Sequence, residues 1–391
     1  MTVSTRVLIS GSGIAGSSLA HWLSRHGGFE VTVVERAPAF RPGGQAIDVR
    51  GPALEVAERM GILPQLREHA TDMRGMSMVD GSGREIYRST EHTLTGGELA
   101  SPDVEIMRDD LNEIIQRARP DGVAYRYGDS VTALDDRGED GVRVEFREAP
   151  PETYDLVVGA DGLHSAVRAA AFGPERDVIR HLGSYLAVFT APNFLDLDRW
   201  QVFCRAGAPG AEVFGGIMSA RGNAESRVYL GFESAQPLEY DVRDVTAQRR
   251  LVAERVTGAG WEFDRAVKYL WDAADFHFDS MSQIHLDHWS RGRVVLLGDA
   301  GYCGSPMSGQ GTSMAMVGAY VLAGELKAAA GDHRAAFAAY ERELREYVAD
   351  NQAIALTSRE RMAARVDGTA DTALDLPRLE DVVHNLRLKD Y

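Results

Sequence analysis

Three apolar runs in this chain end on glycine and lead into a helical pattern, and they lie far apart. Arg6-Val7-Leu8-Ile9-Ser10 precedes Gly11-Ser12-Gly13-Ile14-Ala15-Gly16, and Tyr154-Asp155-Leu156-Val157-Val158 precedes Gly159-Ala160-Asp161-Gly162. Arg293-Val294-Val295-Leu296-Leu297 precedes Gly298-Asp299-Ala300. Each run reads as a short buried strand. A strand that meets glycine and then a helix presents free helix N–H groups and a partial positive charge, a natural seat for phosphate. Because the junctions occur early, midway and late, the nucleotide-holding unit must be assembled from discontinuous pieces of chain.

The first junction is the most explicit. A helix is expected from Ile14 to about His26, with Ile14, Leu19, Ala20 and Leu23 on its apolar side. Gly11 permits the tight turn, Gly13 the approach of a pyrophosphate, and Gly16 close packing of helix on strand. A second strand, Val31 to Val34, ends in Glu35, about 20 residues on, where a carboxylate accepts hydrogen bonds from a ribose. That charge disfavours a 2′-phosphate, so the site is not one for NADP itself. A lone G-x-G-x-x-G is common by chance among 40 glycines. Agreement of strand, glycines, helix, second strand and Glu35 makes this one specific.

Taken in order with their flanks, the three segments resemble the single-component FAD-dependent aromatic hydroxylases, the p-hydroxybenzoate hydroxylase-like flavoprotein monooxygenases. The resemblance extends to Arg108 in Ile106-Met107-Arg108-Asp109-Asp110-Leu111 and covers essentially the whole chain. In length the chain is similar to the compact members, such as the tetracycline-inactivating monooxygenases. The family implies an α/β fold: a Rossmann-like FAD-binding domain with an inserted antiparallel β-sheet substrate domain and C-terminal helices. The expected FAD domain comprises 1–72, 103–178 and 286–350, the substrate domain 73–102 and 179–285, and the helical end 351–391.

The resemblance implies FAD contacts at Gly11, Gly13, Ile14, Ala15, Gly16, Glu35, Arg36, Arg108, Val131, Asp161 and Gly162. In the late segment it implies Asp299, Pro306, Gly309, Gly311 and Thr312. The loop Arg41-Pro42-Gly43-Gly44-Gln45 stands where the family brings backbone close to the isoalloxazine, at Gly44 and Gln45. Asp299, at a strand end, suits a ribityl hydroxyl. Pro306, Gly309, Gln310 and Gly311 form a thin loop beside the ring, and the helix beginning at Gly311 or Thr312 would stabilise negative charge on reduced flavin.

The family chemistry is hydroxylation with NADH or NADPH and O₂ through a flavin C4a-hydroperoxide, the cofactor doing the hard chemistry. No side chain need act as nucleophile. A separate nicotinamide domain is not expected, and the D-G segment with Arg168 is implicated in docking the reductant. The chain departs from the family pattern at two places: Gly301-Tyr302 replaces the usual Ala-His, and Gly318-Ala319 replaces a Glu-Asp pair.

The substrate is expected to be an aromatic or polycyclic small molecule, as in secondary metabolism, lying on a sheet. Alternating β-rich runs between Gly183 and Phe232, with a hairpin over Met76 to Tyr87, read as an antiparallel meander. Tyr185, Phe203, Phe214, Met218 and Pro306 are the candidate substrate contacts, although alternation lets only about half of such side chains face the flavin. His164, beside the D-G segment, reads as an exposed polar residue at a helix start. A non-oxygenating flavoenzyme (a dehydrogenase, reductase or cyclase) is the competing reading, since one scaffold hosts varied chemistry.

Composition narrows the partners. A net charge of −16 argues against nucleic acid and anionic membranes. Cys204 and Cys303 are the only cysteines, too few for a disulfide framework. His285, Asp287 and His288 lack the spacing of a metal site, and Gly-x-Ser-x-Gly does not occur. The first strand is read within a few residues of Met1, so no secretory signal is expected. The apolar helix after Thr312 is interrupted by Gly318, Gly324 and Glu325. The three lysines, Lys268, Lys327 and Lys389, against many arginines suggest a GC-rich bacterial genome. A cytoplasmic protein is expected. A helix from about Arg334 should bury Phe337, Tyr340, Leu344 and Val348, and another is expected over Asp375 to Tyr391.

Overall fold

The strand Thr5–Ser10 lies inside a six-stranded sheet, and the other two glycine-ended runs lie beside it. In the computed structural model the spatial order is Ser290–Arg291, Val294–Leu296, Leu156–Gly159, Thr5–Ser10, Phe29–Glu35 and Ala124–Tyr127. It describes residues 4–40, 42–95, 97–119, 121–207, 211–366 and 382–391, with backbone only for 357–366. All strands run parallel except the short edge strand Ser290–Arg291. Ser10 pairs with Gly159, and Gly159 with Leu296. The three glycine junctions therefore open side by side at the carboxyl ends of adjacent strands, where open α/β sheets hold ligands.

Val7, Ile9, Leu19, Leu23 and Val158 are buried in the main core with residues of the helices Ile14–His26 and Gly311–Ala328. Small side chains let these two helices approach: the two N-terminal turns meet at Gly298, where an added Cβ would come within 3.1 Å of the Ala15 Cβ. The predicted helix from Arg334 is observed as His333–Val366, with Phe337, Tyr340, Leu344 and Val348 buried. The expected tail helix lies partly outside the described residues. From Asn385 onward the chain is irregular, and Lys389 pairs with Glu325 and Glu343 at 2.9 and 2.7 Å.

A second, seven-stranded sheet has the order His277–Ile284, Ile179–Pro192, Glu225–Glu233, Val213–Ala220, Trp200–Ala206, Gly75–Val79 and Glu85–Ser89. The predicted hairpin from Met76 is its edge. The meander is antiparallel except at one pairing, where Trp200–Ala206 runs parallel to Gly75–Val79. That strand arrives from an earlier stretch of chain, so no tight turn dictates its direction. The helices Val245–Val256 and Phe263–Leu270 cover one face, packing on Phe189, Val228, Leu230 and Phe232. The opposite face meets a two-stranded ribbon, Ala46–Val49 with Val104–Met107, through Met218, Tyr229, Ala46 and Met107.

Candidate flavin and substrate site

Gly11 takes φ +104°, and a Cβ there would overlap the carbonyl oxygen of Ala160. The first glycine thus locks the early junction onto the middle one. A Cβ on Gly16 would in turn overlap the carbonyl of Gly11. Gly13 differs: it caps the helix with ordinary extended backbone (φ −69°), and the nearest atom to its Cβ position is Arg108 Nη2 at 3.9 Å. Gly11 and Gly16 are glycine for the protein's packing, whereas Gly13 faces open space at a helix N-terminus. Such a cradle has room for a phosphate that a side chain would block.

Glu35 ends the strand Phe29–Glu35 beside the first junction. Its Oε2 accepts from the Ser12 N–H at 2.9 Å and the Ser12 hydroxyl at 3.0 Å, and its Oε1 accepts from the Ala37 N–H at 2.8 Å. A carboxylate offers about four lone-pair positions, so room remains for ribose hydroxyls. Arg36 is exposed beside it. Val131 is buried among Val142, Val144 and Tyr154, so its side chain is core rather than cofactor contact. Ile14 and Ala15 are likewise buried, and the helix offers its backbone there.

Arg108 gathers the remaining pieces. It begins the helix Arg108–Arg117, its N–H donates to the Gln45 carbonyl at 3.1 Å, and its side chain lies against Gly44 and beside Gly13. It also draws down the pKa of Asp299. Asp299 is open to solvent, yet protein crowded around it raises its carboxyl pKa, opposed by the Cys303 thiol and Arg108. Asp299 is thus exposed just past the end of the strand Val294–Leu296. The helix Gly311–Ala328 begins there: a Cβ on Gly311 would stand 3.8 Å from Asp299 Oδ1. Gly309 turns the preceding loop with φ +64°, Pro306 is exposed, and Thr312 and Gln310 are buried. The Gln310 amide has no partner among the described residues.

The D-G segment is also engaged within the protein itself. Asp161 accepts from the N–H groups of Ala166 and Val167 at 2.9 and 3.2 Å and from the Ser165 hydroxyl. Its carboxylate caps the helix Ala166–Phe172. Arg168 is wholly buried and donates to the Ala300 carbonyl at 2.9 Å, to the Leu163 carbonyl at 2.6 Å and to Glu175 at 2.6 Å. It ties the middle junction to the late one and is not open to a docking reductant. His164 is no exposed bystander either. Its ring nitrogens lie 2.9 Å from Glu175 and 3.2 Å from Asp279, and these carboxylates, against burial, push its pKa up to about 10. Gly162 has φ +82°, which favours glycine, and an added Cβ there would meet no protein atom within 4 Å.

Strand register sorts the substrate candidates. Phe203, Gly216, Tyr229 and Val188 pair across four strands and so share a face, as do Phe214, Gly231, Leu186 and Asp279. That face meets the ribbon and the Gly44 loop. Cβ atoms on Gly216 and Gly231 would overlap the rings of Phe203 and Phe214, so both rings lie over bare sheet, partly exposed. Met218 is on this face but fully buried, sealed by Ala46 and Met107. Tyr185 pairs with Phe232 and points the other way, stacked between Phe232 and Phe278 under the helical layer. It is core, not substrate contact.

Sequence reading missed Arg227 and Asp279 as site-bordering residues. No spacing rule marks a buried arginine in a strand, and only register shows which face it takes.

Three glycine junctions side by side at the ends of parallel strands, with helices starting at Ile14 and Gly311, form the arrangement in which open α/β folds hold a dinucleotide such as FAD. A family model described as an FAD binding domain matches residues 4–355, and the chain belongs to that family. It is 48% identical over 385 residues to an uncharacterised protein of Mycobacterium tuberculosis, covering 98% of this chain and 99% of the relative. It is 37% identical over 391 residues to a flavin-dependent monooxygenase of an unknown prokaryotic organism, covering 99% of each. The crystal structure of tetracycline destructase Tet(51) superposes with a TM-score of 0.87 at 32% identity, covering 100% of each chain. Tet(55) gives 0.83 at 34%, again over 100% of each. The protein is an FAD-dependent monooxygenase of the aromatic-hydroxylase type. No helix among its described residues is long and apolar enough to cross a membrane.

Proposed function

We propose that this enzyme consumes NADH or NADPH and O₂ to hydroxylate an aromatic or polycyclic small molecule lying on the face that carries Phe203 and Phe214. The observation that supports this most is the pair of rings over Gly216 and Gly231. A flat apolar shelf opposite the cleft of Arg108 and Asp299 suits a planar ring system, through offset ring contacts. Tetracycline, named for the two similar destructases, is a substrate of that polycyclic kind. In this reading segments 1–72, 103–178 and 286–350 hold FAD, and 73–102 with 179–285 hold substrate.

Bound FAD supplies the redox chemistry and the activation of O₂. The protein's residues do the rest. Gly13 and Glu35 fix the nucleotide, and Arg108 and Asp299 hold the middle of the cofactor. The N-terminus of Gly311–Ala328 offers positive potential to a reduced, negatively charged ring. Met218, Ala46 and Met107 keep water from beneath the shelf.

The test is NADH and NADPH oxidation by the FAD-loaded protein across phenols and fused-ring aromatics, with products weighed by mass spectrometry. Slow oxidation alone, accelerated by one compound that gains one oxygen, is the expected result. Bound FAD that neither nicotinamide reduces would sink the reading.

A further inference from the structure

We propose that Arg227 is a positioning residue: it holds the loop Gly43–Ala46 against the flavin cleft from the strand that also carries the substrate shelf. This rests on the reading above for where substrate lies, but the grip itself is visible in the protein. Gly43 and Gly44 take φ +89° and +110°, a pair with wide backbone freedom that needs outside restraint to hold one shape. Four polar backbone atoms supply it. The Gly43 N–H donates to Asp109 Oδ2 at 2.7 Å, and the Gln45 carbonyl accepts from Arg108 N–H at 3.1 Å. The Gly44 carbonyl accepts from Arg227 Nε at 2.8 Å, and the Ala46 N–H donates to the Tyr229 hydroxyl at 3.0 Å.

Two of those four holds come from the strand Glu225–Glu233. Arg227 is 1% exposed, and its position is set in turn by its neighbours. Its guanidinium donates to the Thr190 hydroxyl and pairs with Glu225 at 3.1 Å. Thr190 donates through N–H and hydroxyl to Asp275 at 2.9 and 2.6 Å, and Asp275 packs against Gly43. A planar guanidinium can satisfy a carbonyl, a hydroxyl and a carboxylate at once, which an ammonium on a flexible stem does not reproduce. Arg227 pairs in register with Met218, two residues from Gly216, and precedes Tyr229 by two, so the grip and the shelf share one sheet face. The loop rests on Arg108, which lies beside Gly13. Arg227 touches no reacting group; it acts through the loop.

The test compares Arg227→Met, Arg227→Lys and Thr190→Val with the wild type as FAD-loaded protein. Hydrogen exchange is followed in the peptide 42–47 and in the strand Val213–Ala220, with the FAD dissociation constant and the visible flavin spectrum. Arg227→Met should speed exchange in 42–47 about tenfold, leave Val213–Ala220 protected, and weaken FAD about tenfold, the effect of one lost charge-assisted hydrogen bond. Arg227→Lys should recover part of this. With a turnover compound in hand, kcat and product per nicotinamide fall while KM holds.

Unchanged loop exchange, or protection lost throughout the sheet, overturns the proposal. Should Arg227→Met fail to fold, Thr190→Val keeps the arginine and only loosens it, and an unaltered 42–47 peptide there overturns it equally. Exchange and FAD binding need no substrate, so failure of the hydroxylase reading would appear separately, as absence of product with the loop grip intact.

Discussion

A Cβ on Gly318 would overlap the hydroxyl of Tyr302, whose oxygen fills the space beside the helix Gly311–Ala328. Tyr302 is 1% exposed, hydrogen-bonded to the Tyr340 hydroxyl at 3.0 Å, and packed on Trp289. The two departures from the aromatic-hydroxylase pattern, Gly301-Tyr302 and Gly318-Ala319, are thus one packing event: the larger residue on the late junction is accommodated by glycine on the facing helix.

Gly318→Ala should therefore destabilise the protein by about 1–3 kcal/mol, the usual range for overpacking a closed core. Tyr302→Phe, which removes only the clashing oxygen, should cost about 1 kcal/mol alone for its hydrogen bond. In the double variant the Gly318→Ala penalty should largely vanish. Urea unfolding of the four proteins measures the coupling, and additive penalties would show that the two positions are independent.

Gly13→Ala separates cofactor binding from folding. Its backbone angles suit alanine and no protein atom lies closer than 3.9 Å to the new Cβ. The apo-protein should keep its stability within about 1 kcal/mol. FAD binding should weaken by at least about tenfold, as phosphate contacts are pushed away. Gly11→Ala should instead fail to fold, because its Cβ meets the Ala160 carbonyl. Flavin titration with unfolding curves checks both, and normal FAD affinity in Gly13→Ala would remove the phosphate from that cradle.

The sequence's three glycine junctions, helix Ile14–His26 and the buried face of His333–Val366 were legible because strand and helix periodicities are local. So was Glu35 at the end of its strand. What was not legible depends on contacts distant in sequence. Tyr185 and Phe203 look alike in the chain, and only pairing with Phe232 or Gly216 separates core from shelf. The motif marks Asp161 for the cofactor and Arg168 for the reductant, but it does not show the hold of Asp161 on Ser165 or the burial of Arg168 against the distant Ala300 carbonyl.

His164 predicts a pH dependence. Its pKa is raised in the folded state from 6.5 to about 10. The stabilisation it gives is therefore complete below pH 6.5 and lost as pH climbs from there through about 10. The stability difference between wild type and His164→Asn should be largest at acid-to-neutral pH and shrink toward the alkaline end. Urea unfolding over that range tests it, and a difference that grows with pH would contradict the doubly clamped imidazolium.

The two faces of the sheet should answer mutation differently. Tyr185→Ala empties a sealed aromatic stack and should cost about 3–5 kcal/mol of stability. Phe214→Ala, partly exposed over Gly231, should cost less and act chiefly on KM for the ring substrate, with FAD affinity unchanged. Steady-state kinetics beside thermal unfolding would expose the reverse pattern, which would move the substrate off this face.

The most direct measurement is turnover under heavy-isotope O₂ with the compound that accelerates nicotinamide oxidation, followed by mass analysis of the product. One labelled oxygen atom in the product for each nicotinamide consumed is the predicted result. Label confined to peroxide and water, or substrate oxidised equally well without O₂, would contradict hydroxylation on the shelf of Phe203 and Phe214.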